Sequence, residues 1–108
     1  MRTQEANNIL NQVIESVEKN GINAEKIIPQ LQKAREIALQ EQDPLLTRAL
    51  RLAWQHIEAN DAFDIDLAED IETPEENFTY FLQLCVRCEN TLNRDELREM
   101  TNNLQQLA

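Results

Sequence analysis

"DPLLTRALRLAWQHIEAN", residues 43–60, decides the fold. Asp43 is a good N-cap and Pro44 suits the first helical position, where a missing N–H costs nothing. Leu46, Leu50, Ala53 and Ile57 then recur at steps of four, three and four, the period of one helical face. Leu45, Ala49, Leu52 and Trp54 widen that stripe well beyond a two-helix seam. A helix this apolar over so much of its circumference needs neighbours on more than one side, so it is read as the central helix of a bundle.

The rest of the chain supplies those neighbours. Ala6, Ile9, Leu10, Val13, Ile14 and Val17 mark a first helix over 3–20, closed by Gly21, the only glycine of the 108 residues. Asn23 reads as the next cap. Pro29 lies too far along to be the first residue of a helix capped there, so the spacing predicts a short turn and then a helix over 29–42 on Leu31, Ala34, Ile37 and Ala38. "TPEE" at 73–76 places Thr73 as cap, Pro74 at the first position and Glu76 to complete a capping box. The helix it opens is expected over 74–90 on Phe78, Phe81, Leu82, Cys85 and Cys88. "LNRDEL" at 92–97 predicts Asn93 as a cap with a Leu92–Leu97 staple, and a last helix over 94–107 on Leu97, Met100, Leu104 and Leu107. The expected fold is a single all-α domain over 1–108: an up-and-down antiparallel bundle of four main helices with a C-terminal helix packed on it.

Composition agrees. One Gly and three Pro argue against a strand-and-turn fold. No apolar run approaches the ~20 residues that span a bilayer, and the N-terminus lacks the apolar core of a signal peptide. Two Cys cannot form a disulfide scaffold. The expected location is the cytoplasm.

Charge is the one functional lead. The chain carries −10, and nine of its twenty acidic residues fall between Glu58 and Glu76, a stretch without a single base. The remainder is nearly neutral. Such a field repels phosphates and anionic lipid, so direct nucleic-acid and membrane binding are not expected. Glu72, Glu75 and Glu76 sit at the start of a helix, where negative charge suits the dipole. Glu58 and Asp61 sit at the unfavourable end of the central helix, and Arg48 and Arg51 sit in its first half, also against the dipole. Phe63, Ile65, Leu67 and Ile71 are threaded among the acids. These apolar residues are expected to hold the connector 61–72 on the bundle, whether it is extended or helical, and so to present the acids as an ordered surface.

Other constellations carry less. "CVRC" at 85–88 has no second metal-ligand pair and no preceding strand, so both Cys are expected to be buried core thiols placed mid-helix. His56, the only histidine, lacks a Glu three residues before it; a half-buried ring with one hydrogen bond is expected. An EF-hand register from Asp64 fails at Ala68 and Glu69, and one from Asp61 fails at Phe63. Neither a catalytic constellation nor a cofactor or metal site is expected. The sequence therefore points to a non-enzymatic interaction module, in the manner of an inhibitor, an immunity protein or a nucleic-acid mimic. It would dock a basic protein through Glu58, Asp61, Asp64, Asp66, Glu69, Asp70 and Glu72. The alternatives are a structural or assembly module that self-associates through the last helix and a helical protein that binds a divalent metal; a monomer or weak homodimer is expected.

Overall fold

The computed structural model describes residues 4–63 and 73–107. Among them are five helices and no strand: α1 (Gln4–Asn20), α2 (Ala24–Gln40), α3 (Pro44–Asn60), α4 (Pro74–Val86) and α5 (Thr91–Leu107). The protein is an all-α bundle, as its periodicity requires. A 17-residue helix is about 26 Å long, and the body measures 30 × 26 × 23 Å, so the helices lie beside one another rather than end to end.

α3 behaves as its sequence dictates. The Asp43 side chain accepts from the Leu46 N–H at 3.2 Å, Pro44 follows, and seven side chains from Leu45 to Ile57 are buried. Its buried faces meet α2 on one side and α5 on the other. α1 packs on α2 and α4, and α5 on α3 and α4. Around the core the order is therefore α1, α2, α3, α5, α4: the last helix is seated between two that precede it. The core filling this ring includes Leu10, Leu31, Leu46, Leu50, Phe78 and Phe81, all inaccessible to solvent.

Helix ends depart from expectation at four places. α2 begins at Ala24, not at 29, and Pro29 lies inside it. The Asn23 carbonyl accepts from the Lys26 and Ile27 N–H groups at 3.1 and 3.0 Å, so the helix is already wound before the proline arrives. Pro29 is exposed, which leaves the carbonyl it cannot serve facing water, and Ile27 is fully buried in register with Leu31, Ala34 and Ala38. Burying an isoleucine contributes about 1.5–3 kcal/mol, comparable with the ~3 kcal/mol penalty of an internal proline. α2 ends at Gln40 rather than 42, because Gln42 turns left-handed at φ 58°. Its N–H bonds the Leu39 carbonyl and the Asp43 N–H bonds that of Ala38, the paired closure of a Schellman motif.

α4 stops at Val86, not 90, so Cys88 occupies the turn after the helix rather than its middle. α5 begins at Thr91, and its cap is Asn90, whose Oδ1 accepts from the Leu92 and Asn93 N–H groups at 3.0 and 3.2 Å. Asn93 instead donates through Nδ2 to the Arg87 carbonyl at 3.2 Å. Leu92 is 78% exposed, so the expected staple to Leu97 does not form. The return from α4 is held elsewhere. Arg94 makes a two-pronged bond to Asp43, at 2.6 and 3.1 Å. Leu97, Met100 and Leu104 are buried, so the seam of α5 is used within its own bundle.

Candidate docking surface at the acidic end

The acidic end is assembled where α3 stops. Asp61 takes a left-handed conformation at φ 54°, with its N–H on the Ile57 carbonyl at 2.7 Å. That reversal sends the chain inward, and two residues later Phe63 is completely buried. Its ring lies 4.9 Å from that of Phe78 and 5.3 Å from that of Phe81, both tilted, and His56 approaches it edge-on at 6.1 Å. Three aromatic rings in contact bury a large apolar area in favourable geometry. Phe63 thus pins the exit of α3 to the inner face of α4. The same packing accounts for His56, which is half-buried with Nδ1 3.3 Å from the Asn60 side-chain amide.

Around this plug the acids face solvent. Glu58 and Asp61 are exposed on one side. On the other, Thr73 caps α4 by accepting from the Glu76 N–H at 3.1 Å, and Glu75 and Glu76 are exposed in its first turn. The end of α1 adds Glu18, which is exposed. Val17, Glu18, Gly21, Glu75, Glu76 and Thr79 line an open cavity of about 400 Å³ between α1 and α4. Two helices separated by more than fifty residues thus bring three carboxylates together, a juxtaposition that no local pattern signals. Of the candidate docking residues, Glu58 and Asp61 are placed at the end of α3. Asp64, Asp66, Glu69, Asp70 and Glu72 lie outside the described residues, as do Ile65, Leu67 and Ile71.

Four bases of the bundle have partners away from this end, while Lys19 follows Glu18 at the close of α1 and is exposed. Arg94 holds Asp43, Arg98 holds Asp95 at 3.2 Å, and exposed Lys33 and Glu5 stand 3.8 Å apart. Arg48 donates to the Gln105 and Asn102 side-chain oxygens at 2.7 and 3.0 Å, both neutral. None of these contacts draws on Glu18, Glu58, Asp61 or Glu75.

The cysteines behave as core residues. Both are free and buried. Burial pushes the Cys85 thiol far above its ordinary range and raises that of Cys88 as well, which keeps both protonated and unreactive. Among the described residues no group of three or more His, Cys, Asp or Glu side chains is placed to hold a metal ion, and no helix is long and apolar enough to cross a membrane. One buried group was not anticipated from sequence. Asn77, in the first turn of α4, is inaccessible to solvent, and neither its Oδ1 nor its Nδ2 has a hydrogen-bond partner. Compared with known proteins, the chain matches no family model, no curated protein and no solved structure.

Proposed function

We propose that the protein is a non-enzymatic binding module whose acidic end docks a basic protein. The observation that carries this reading is the division of labour at Phe63: the aromatic ring is buried against Phe78 and Phe81, while Asp61, Glu58, Glu75 and Glu18 around it stay in solvent. Negative charge on an anchored surface keeps a fixed geometry, and fixed charge steers and orients an oppositely charged partner. The −10 net charge adds a long-range attraction for any cationic protein. An inhibitor, immunity or nucleic-acid-mimic role is the class of activity that such a surface serves.

The test is capture from the native host with immobilised wild-type protein, beside a variant carrying Asp64→Asn, Asp66→Asn, Glu69→Gln and Asp70→Asn. The expected result is a basic protein held by the wild type, released by high salt and not held by the variant, although both melt alike. A partner held equally by both, or held through high salt, overturns the reading.

A further inference from the structure

α3 is charged against itself, and nothing among the described residues corrects this. Arg48 and Arg51 lie one turn apart near its N-terminal end, and Glu58 and Asp61 lie one turn apart at its C-terminal end. Each couple repels, and the acidic couple sits at the wrong end of the helix dipole. No residue three or four places along the helix from Arg51 or Glu58 carries the opposite charge. Among the described residues, no hydrogen bond or ion pair engages the Arg51 guanidinium or the Glu58 carboxylate. The Arg48 guanidinium is held by two amides, which fix its position without neutralising it.

These charges share one face. Thr47, Arg51, Trp54 and Glu58 follow one another at steps of four, three and four; Arg51 and Glu58 are exposed, while Thr47 and Trp54 are partly so, Trp54 resting against the core with its indole N–H buried. Gln55 is exposed beside them. Reversing the helix about a two-fold axis between Trp54 and Gln55 places Arg51 opposite Glu58, Arg48 opposite Asp61 and Trp54 opposite Gln55. That register matches the exposed charges Arg51 and Glu58 with their opposites, and does so twice by symmetry, as an isologous interface requires. It also sets two tryptophans, partly uncovered in the single chain, at the centre of the contact, the place and residue type favoured for binding energy. Beside the arginines, exposed Leu39 with Thr47 lines a cavity of about 440 Å³, an apolar seat at the edge of the same face.

We propose that a second copy of this chain docks antiparallel on the outward face of α3, with Arg51 of each copy paired to Glu58 of the other around the two Trp54 rings. A single helical stripe covers less than the roughly 800 Å² per partner of a standard interface, so the dimer is weak and concentration-dependent. The proposal goes beyond the docking reading and does not depend on it, because purified protein alone tests it.

The experiment is sedimentation equilibrium of purified wild type, Arg51→Glu, Glu58→Arg, and an equimolar mixture of the two variants, read together with emission from Trp54, the only tryptophan. Wild type should associate with rising concentration, with a blue shift of its emission. Either substitution alone should weaken association about tenfold, since it sets like charges face to face at two symmetric places. The mixture should recover association, because each variant then meets its complement. Both substitutions relieve a neighbouring like charge within the monomer, and Glu58→Arg also suits the dipole, so the melting temperature should hold or rise, and loss of association cannot then be ascribed to unfolding. Wild type that stays monomeric at the highest concentration, variants that dimerise like wild type, or a mixture that does not associate overturns the proposal. A dimer dissolved by Leu107→Lys and not by Arg51→Glu also overturns it, in favour of α5.

Discussion

Phe63 shows how one side chain can fix a connection. It follows a left-handed turn at Asp61, and its ring contacts both Phe78 and Phe81. Phe63→Ala should cost about 3–5 kcal/mol, read as a lower denaturant midpoint, because the cavity it leaves lies between rings that cannot collapse freely. Its role as an anchor was legible in the sequence, since an aromatic flanked by acids has few other ways to leave water. Asn77 was not legible: a polar residue in the first turn after "TPEE" reads as surface, and only its place facing the core makes it buried. An unpartnered buried amide is destabilising, so Asn77→Leu should raise stability by about 1 kcal/mol in the same measurement; a fall would mean the amide holds an internal water. Tyr80, the only tyrosine, reports on its own environment. Burial, together with its hydrogen bond to Glu96, raises its phenol from 10.0 to about 12. The neutral form is the one favoured by folding, so this contribution is complete below pH 10 and fades as pH climbs from 10 to 12. Phenolate absorbance should titrate near 12 in folded protein and near 10 in denaturant; coincident titrations would remove the claimed environment.

At the scale of elements, the apolar period was a better guide than the stop signals. All five helices exist where the periodicity places them. What failed was the weight given to particular residues at their ends. Pro29 was read as a break, yet Ile27, Leu31, Ala34 and Ala38 run through it without losing register, and burial of that stripe decides the outcome. Asn93 was read as a cap, yet Asn90 offers the same side chain three residues earlier, where the chain has already turned. Local chemistry permits either Asn; the tertiary bond from Arg94 to Asp43 favours the longer α5 by fixing its first turn. Asp43 therefore serves two elements at once, as cap of α3 and as acceptor for α5. Asp43→Ala should lose about 1–2 kcal/mol through the cap alone and more through the stranded guanidinium. Arg94→Gln should lose about 1 kcal/mol or less, because Arg94 is 32% exposed and the pair is partly screened. A double-mutant cycle on unfolding free energies measures the coupling; a value of zero would make the two-pronged bond irrelevant to stability.

For the whole molecule, the separation of charge from support governs behaviour. Replacing Asp64, Asp66, Glu69 and Asp70 by their amides should leave the melting temperature unchanged or raise it slightly, by relieving repulsion in a chain of −10. Unfolding of that variant would show instead that these acids support the fold. Millimolar calcium should not raise the melting temperature of wild type; a large rise, lost in the variant, would assign the acids to a metal. The all-α class and the concentration of charge were legible from sequence. The spatial order was not, because short links report which helices adjoin in sequence, and the long connector between α3 and α4 leaves their relation open. That order has a consequence for biosynthesis. With α5 seated between α3 and α4, a nascent chain whose exposed portion stops short of Thr91 has nothing to close its ring. The faces of α3 and α4 that meet α5 would then flank an open gap, the sort of surface that chaperones recognise. The ribosome would have to release α5 from its exit tunnel before the protein could finish folding, so closure is timed by translation rather than by collapse of the first four helices.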